Sequence, residues 1–275
     1  MSITSRKIKL EVGNLLEIAD IFIVLNLFGY SEENNPKGMS ALRKKLRKEG
    51  GKVDFSKRYP ILKRMAQSYH PWHLINFVLA EKAVERHQKF YHELKKFSSE
   101  PIVRKYRKLV VEEGLKSCDP LTRHFLKELT RIFDFLSHPK VDFDKIVLML
   151  NPLDAYWRGY SFKAGKSLYL IAGPGSINER INVLSHELFH ALTNNYHLPK
   201  SFPMRVSKKM TLHGYVSAKN ISNEYVVRAL NLVYLSRMKG EKYMTVALND
   251  AQKDFPDIKE AVIYMENKVG RYNVR

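Results

Sequence analysis

The chain has 275 residues, 44% hydrophobic and 27% charged, the balance of a soluble globular protein with enough length for a sizeable core. A lone cysteine, Cys118, excludes an internal disulfide framework and fits a reducing cytoplasm, where it reads as a small buried hydrophobe. Lys and Arg number 47 against 28 Asp and Glu, a net charge of +19, so nucleic acid has to be weighed as a partner.

Near the N-terminus, Arg6, Lys7 and Lys9 precede an apolar run at 18–28. Glu11, Glu17 and Asp20 interrupt the approach to that run, and no small-residue cleavage site follows, so it does not read as a signal peptide. It is too short to span a bilayer. The spacing predicts a core helix near 13–28 ended by Gly29, and the lack of a targeting signal argues for a cytoplasmic protein.

Residues 1–140 read as a helical N-terminal lobe, with periodic apolar positions over 15–27, 59–69, 74–94, 103–115 and 121–136. Polar loops are expected at 31–38 and 98–101. The densest basic cluster, Arg43-Lys44-Lys45-Leu46-Arg47-Lys48, runs into Glu49-Gly50-Gly51 and looks like a helix C-terminus. No zinc-finger cysteine pair or aromatic RNA-binding sheet motif accompanies it, so nucleic acid is a possible partner but not the favoured one. Tyr69-His70-Pro71-Trp72-His73 has two readings, the wall of a substrate cleft or the capped start of a helix at Pro71.

From about residue 141 the pattern changes, and 141–275 reads as a second core packed with the first lobe as one unit. Lys145–Leu150 is a short apolar strand stopped by Asn151-Pro152. After Tyr156-Trp157, the alternation of Tyr160-Ser161-Phe162-Lys163 and the apolar run Ser167–Ala172 flank Ala164-Gly165-Lys166, which predicts an antiparallel hairpin. The fold class is therefore α+β, predominantly helical, with a small antiparallel sheet. An edge strand of such a sheet can pair with an extended peptide.

Gly173-Pro174-Gly175 turns the chain into a helix expected over 177–193, with Ser176 and Glu179 at capping-box spacing. Within that helix lies His186-Glu187-Leu188-Phe189-His190. Residues four apart share a helix face, so His186 and His190 can direct two imidazoles at one ion while Glu187 stands ready to take a proton from water. This is the H-E-x-x-H signature of zincin metallopeptidases, with one zinc ion per chain. The apolar surroundings, Val183, Leu184, Leu188, Phe189, Ala191 and Leu192, suit a dry metal site better than a surface helix.

A catalytic zinc takes a third protein ligand. The extended H-E-x-x-H-x-x-G-x-x-H pattern fails, because Thr193 stands at the glycine place and Tyr196 at the last histidine place. Glu224 is the favoured third ligand, on an apolar helix that ends before Gly240 with Ser222 as its cap. His197, His213 and Glu179 are the alternatives. An oxyanion also needs a donor, for which Tyr215 is preferred over Tyr225 and His213. The basic stretch 200–219 reads as a loop shaping the cleft, and 257–268 as a C-terminal helix.

On these residues the chain resembles the gluzincins, the thermolysin-like class with H-E-x-x-H and a downstream Glu on a second helix. The match is specific over Val183–Leu192 and looser over 165–235. The first lobe, with LEIADIFIVLNLFGY and His70-Pro71, is similar to that of an uncharacterised group of peptidases of this class. The resemblance implies that His186, His190 and Glu224 bind zinc, that Glu187 is the general base, and that peptide or protein substrates are hydrolysed without a membrane. One departure stands out: Arg228 occupies the place where the class carries an acid, four residues after Glu224. Arginine has no acceptor and cannot orient a ligating histidine, so it pairs with Glu224 or with a substrate carboxylate. The alternative function is a basic nucleic-acid-binding protein, or a helical protein that binds metal without catalysis.

Overall fold

The computed structural model describes residues 8–13, 16–30, 39–79, 88–137, 139–156, 158–193, 195–212, 215 and 217–269. The 31–38 loop, the middle of the 74–94 run, Trp157, His213 and Gly214 lie outside them. In order, the elements are β1 (Lys9–Val12), α1 (Leu16–Phe28), α2 (Ala41–Gly50), α3 (Phe55–Arg58), α4 (Pro60–Ser68), α5 (Pro71–Leu79), α6 (Gln88–Ser98) and α7 (Pro101–Phe135). The second half adds β2 (Lys145–Leu150), β3 (Gly159–Ala164), β4 (Ser167–Ala172), α8 (Ile177–Leu192), α9 (Lys208–Leu212), α10 (Ala218–Lys239), α11 (Glu241–Asp254) and α12 (Ile258–Val269). The protein is α+β and mostly helical, and among the described residues no helix is long and apolar enough to cross a membrane.

Two compact units form, one from 8–125 with 143–184 and the other built on 126–142 with 185–275. They are not consecutive stretches meeting near residue 140, and β1 shows why: it pairs in parallel with β2, Lys9 against Lys145. The first unit's sheet has the order β1-β2-β4-β3. The expected hairpin is present as β3 against β4, turning at Gly165 with φ +56°. The sheet as a whole is mixed rather than antiparallel, because β2 runs parallel to both β1 and β4. A strand covered on both faces reads as a continuous apolar run, and Ile146–Met149 are all buried.

Helix α1 is the core of this unit, with Ile21 to Leu25 almost wholly buried. Gly29 ends it at φ +119°, as the sequence predicts. Two polar residues on α1 are buried and matched. Asp20 takes Arg107 through Nε at 2.8 Å and Nη2 at 2.5 Å, and Ser98 Oγ at 2.5 Å. Asn26 Oδ1 accepts from Arg43 Nε at 2.7 Å and Arg47 Nε at 3.0 Å, while its amide nitrogen donates to Phe22 O and Leu153 O. Arg43 is fully buried. Thus two cations of the densest basic run tie α2 to α1 and are not part of a solvated basic face. The His70 segment takes the capping role, since Trp72 N–H donates to His70 Nδ1 at 3.2 Å at the start of α5. Helix α7 runs unbroken through Pro120, joining two apolar stretches that the sequence reading kept apart.

In the second unit, α10 packs against α11 and α12. Phe135, Phe189 and Tyr234 form a triangle of rings with centroids 5.4–6.1 Å apart, fixing α8 and α10 against the end of α7. Such aromatic edges add about 0.5–1.5 kcal/mol each beyond the area they bury.

Candidate metal centre

The segment carrying the histidines is fixed locally from both ends. Ser176 N–H donates to Glu179 Oε2 at 2.6 Å and Glu179 N–H faces Ser176 Oγ at 3.4 Å, the reciprocal pair the spacing predicts. Before it, a Cβ on Gly173 would stand 1.8 Å from Ala155 O, so only glycine allows this turn. At the other end, Thr193 folds its hydroxyl back on Phe189 O at 2.6 Å. Leu184, Leu188 and Phe189 are buried, which turns His186 and His190 to the opposite side of α8. Their rings lie 4.9 Å apart at 87°.

Glu224 meets them from α10. Its Oε1 is 3.5 Å from His186 Nε2 and its Oε2 is 3.4 Å from His190 Nε2. These separations can be set against two reference lengths. A charge-assisted N–H···O bond closes to about 2.7–2.9 Å. Donors around a tetrahedral ion with bonds of about 2.0–2.1 Å stand roughly 3.3 Å apart. The observed spacing is wider than such a bond and leaves room for an ion between the imidazoles and the carboxylate. All three donor atoms lie within 4.8 Å of one another, and among the described residues this is the group of His, Cys, Asp and Glu side chains able to hold a metal. Glu224 is 4% exposed while His186 and His190 are about one-fifth exposed, so one side stays open to solvent.

The surroundings set the charge. Burial works to raise the Glu224 carboxyl, but Arg228 and the two imidazoles outweigh it and hold it well below the usual carboxylate range. Burial works to lower His190, yet Glu224 and Glu187 keep it above the usual imidazole value while no cation is bound. Arg228 Nε lies 2.6 Å from Glu224 Oε1 in a charge contact without an aligned hydrogen bond. Its Cζ sits 4.6 Å over the Phe255 ring. Asn223 Nδ2 is 3.2 Å from His190 Nδ1. Since Nε2 faces Glu224, Nδ1 carries the proton when Nε2 is a ligand, and the interchangeable amide then presents its oxygen there.

His186, His190 and Glu224 are thus brought together, with Glu187 on the same turn of α8. Glu179 is occupied in the cap, and His197 is exposed beyond α8. The other alternative, His213, lies outside the described residues. Tyr225 is not a free oxyanion donor: its hydroxyl donates to Arg205 O, beside Asp257. Tyr215 sets its ring edge-on to Phe255, with centroids 6.1 Å apart. Two local expectations change. Helix α10 begins at Ala218 under Ser217, not at Ser222, so Glu224 sits beyond the first turn and Arg228 replaces the helix dipole as its stabiliser. The stretch 200–219 contains α9, started by Ser207. Asn223 and Phe255 were missed as site neighbours. The position of Asn223 beside a suspected ligand was the available signal, whereas Phe255 arrives from a distant segment.

Comparison with family models, curated proteins and solved structures finds no match to this chain.

Proposed function

We propose that the protein is a zinc-dependent hydrolase of peptide bonds, with His186, His190 and Glu224 as metal ligands. The observation that carries this reading is the 3.4 and 3.5 Å spacing of two imidazoles around one buried carboxylate, at an edge open to solvent. The H-E-x-x-H order and the resemblance to gluzincins support zinc and peptide substrates over other ions and other amides.

When bound, the metal supplies a Lewis acid that polarises a carbonyl and acidifies water. Glu187 accepts the proton of the attacking water and returns it to the leaving amine, roles that suit a carboxylate one residue from His186. Asn223 holds the His190 ring through Nδ1. Tyr215 donates to the developing oxyanion. Leu188 and Phe189 keep the inner side of α8 dry.

Metal analysis of the purified protein beside its His190→Ala variant tests the ligands, and Glu187→Gln tests the chemistry. The parent should bind about one zinc per chain and His190→Ala should not. Glu187→Gln should keep its zinc and lose peptide hydrolysis by about 10²–10⁴-fold. Equal cleavage by parent and Glu187→Gln would overturn the mechanism.

A further inference from the structure

Arg228 is the feature that a proton-transfer scheme does not use. An acid at this place would accept from a ligating imidazole and add negative charge around the ion. Arginine does the reverse. With a divalent ion, two neutral imidazoles, Glu187 and Glu224, the centre would be neutral; Arg228 makes it a net cation. The guanidinium is also fixed in place. Nε is buried against Glu224 Oε1 at 2.6 Å, and Cζ stacks over Phe255 at 4.6 Å. A guanidinium carries five N–H donors, and among the described residues Glu224 is the acceptor facing it. The side chain is nonetheless 33% exposed, and since Nε is buried, that exposure lies elsewhere on it. Glu224 and Arg228, one turn apart, share the α10 face that meets the histidines.

We infer that Arg228 forms, beside the metal, a subsite for a carboxylate, so that the centre takes peptides presenting a carboxylate next to the bond to be cut. This rests on the metal-hydrolase reading and adds the substrate class to it. The carboxylate has two sources, the C-terminus of the peptide or an acidic side chain. A fixed fork of N–H donors matches a carboxylate in two-point fashion, which lysine does not reproduce. The chain's net charge of +19 draws anionic peptides towards the protein in the same sense.

The test uses the full chain loaded with cobalt(II), whose visible spectrum reports the coordination sphere. Cobalt uptake is measured first, because a chain that takes up no cobalt overturns the metal reading itself, and this inference with it. Succinate is then titrated into parent, Arg228→Lys and Arg228→Met proteins. Parent should bind succinate about tenfold or more tighter than Arg228→Met, with Arg228→Lys between them. Arg228→Met should hold cobalt as tightly as parent or more so, because a repelling cation is gone. Equal succinate binding by parent and Arg228→Met overturns the inference and leaves the metal reading standing. Loss of cobalt from Arg228→Met also overturns it, making Arg228 a support for Glu224. Peptide cleavage supplies the second arm. A preference of about tenfold for a free C-terminus over its amide, lost in Arg228→Met, identifies the terminal carboxylate. A preference for an acidic neighbour regardless of amidation, lost in the same variant, identifies the side chain. No preference of either kind overturns the inference.

Discussion

Asp20 and Glu224 are buried to the same degree, 4% and 3% exposed, and are held in opposite ways. Asp20 accepts two hydrogens from Arg107 and one from Ser98, at 2.5–2.8 Å. Around Glu224 two imidazoles stand off at 3.4 and 3.5 Å, and the close arginine is not aligned to bond. The first carboxylate is finished by the protein alone. The second has its imidazole partners far enough away to leave room for an ion. Burial alone therefore does not separate the two acids, whereas the distance to their partners does.

The comparison breaks most visibly by removing each acid. Asp20→Ala should cost about 3 kcal/mol in urea unfolding with or without zinc, because it strands Arg107 in a partly buried place. Glu224→Gln should weaken zinc binding on the order of 100-fold or more, and shift the metal-free unfolding midpoint less than Asp20→Ala does. The reverse pattern would make Glu224 the structural acid. Next, zinc at about 100 times its dissociation constant should stabilise the parent by about 2.7 kcal/mol and leave His190→Ala unmoved, read as melting temperature. A smaller effect is expected at the orienting contact. Asn223→Ala should weaken zinc binding by about tenfold, measured by competition with a chelator, and unchanged affinity would remove Asn223 from the centre.

A third buried acid, Asp257, sharpens the contrast by pH. Hydrogen bonding from Arg205 holds its carboxyl below the usual range against the opposing effect of burial. Its folded value lies below the unfolded one, so the stability it contributes is present above the ordinary carboxylate range near pH 4 and is lost as pH falls through the folded value. Asp257→Asn should therefore melt lower than parent at pH 7 and approach it as the pH drops below about 4. A deficit independent of pH would show that the ionised form contributes nothing.

Where structure depends on neighbours in sequence, the chain was readable. Gly29 after an apolar run, Ser176 with Glu179, and Gly165 between two strands each act within a few residues, and each appears as expected. The placement of Glu224 beside the histidines was reachable by chemistry instead, because a His pair read as metal-binding calls for a third donor that an acid on a second helix can supply. What escaped depends on distant partners. β1 is four residues, two of them charged, and becomes a strand only because β2 lies beside it. The first turn of α10 is polar and largely exposed, so no apolar period announces it. Arg43 and Arg47 sit in a run that looks like solvated surface, and their contacts with the distant Asn26 and Tyr30 show otherwise.

The parallel pairing of β1 with β2 has a kinetic corollary. Lys9 leaves the ribosome long before its partner Lys145, and at about 5–20 residues per second the wait is on the order of ten seconds. β4, which completes β2's other edge, ends only at Ala172. During synthesis the nascent α1, most of whose side chains end up buried, has no finished sheet beside it. The sheet of this unit therefore closes late and by long-range contacts, which is intrinsically slower than the local packing of α1 on α2, α4 and α5.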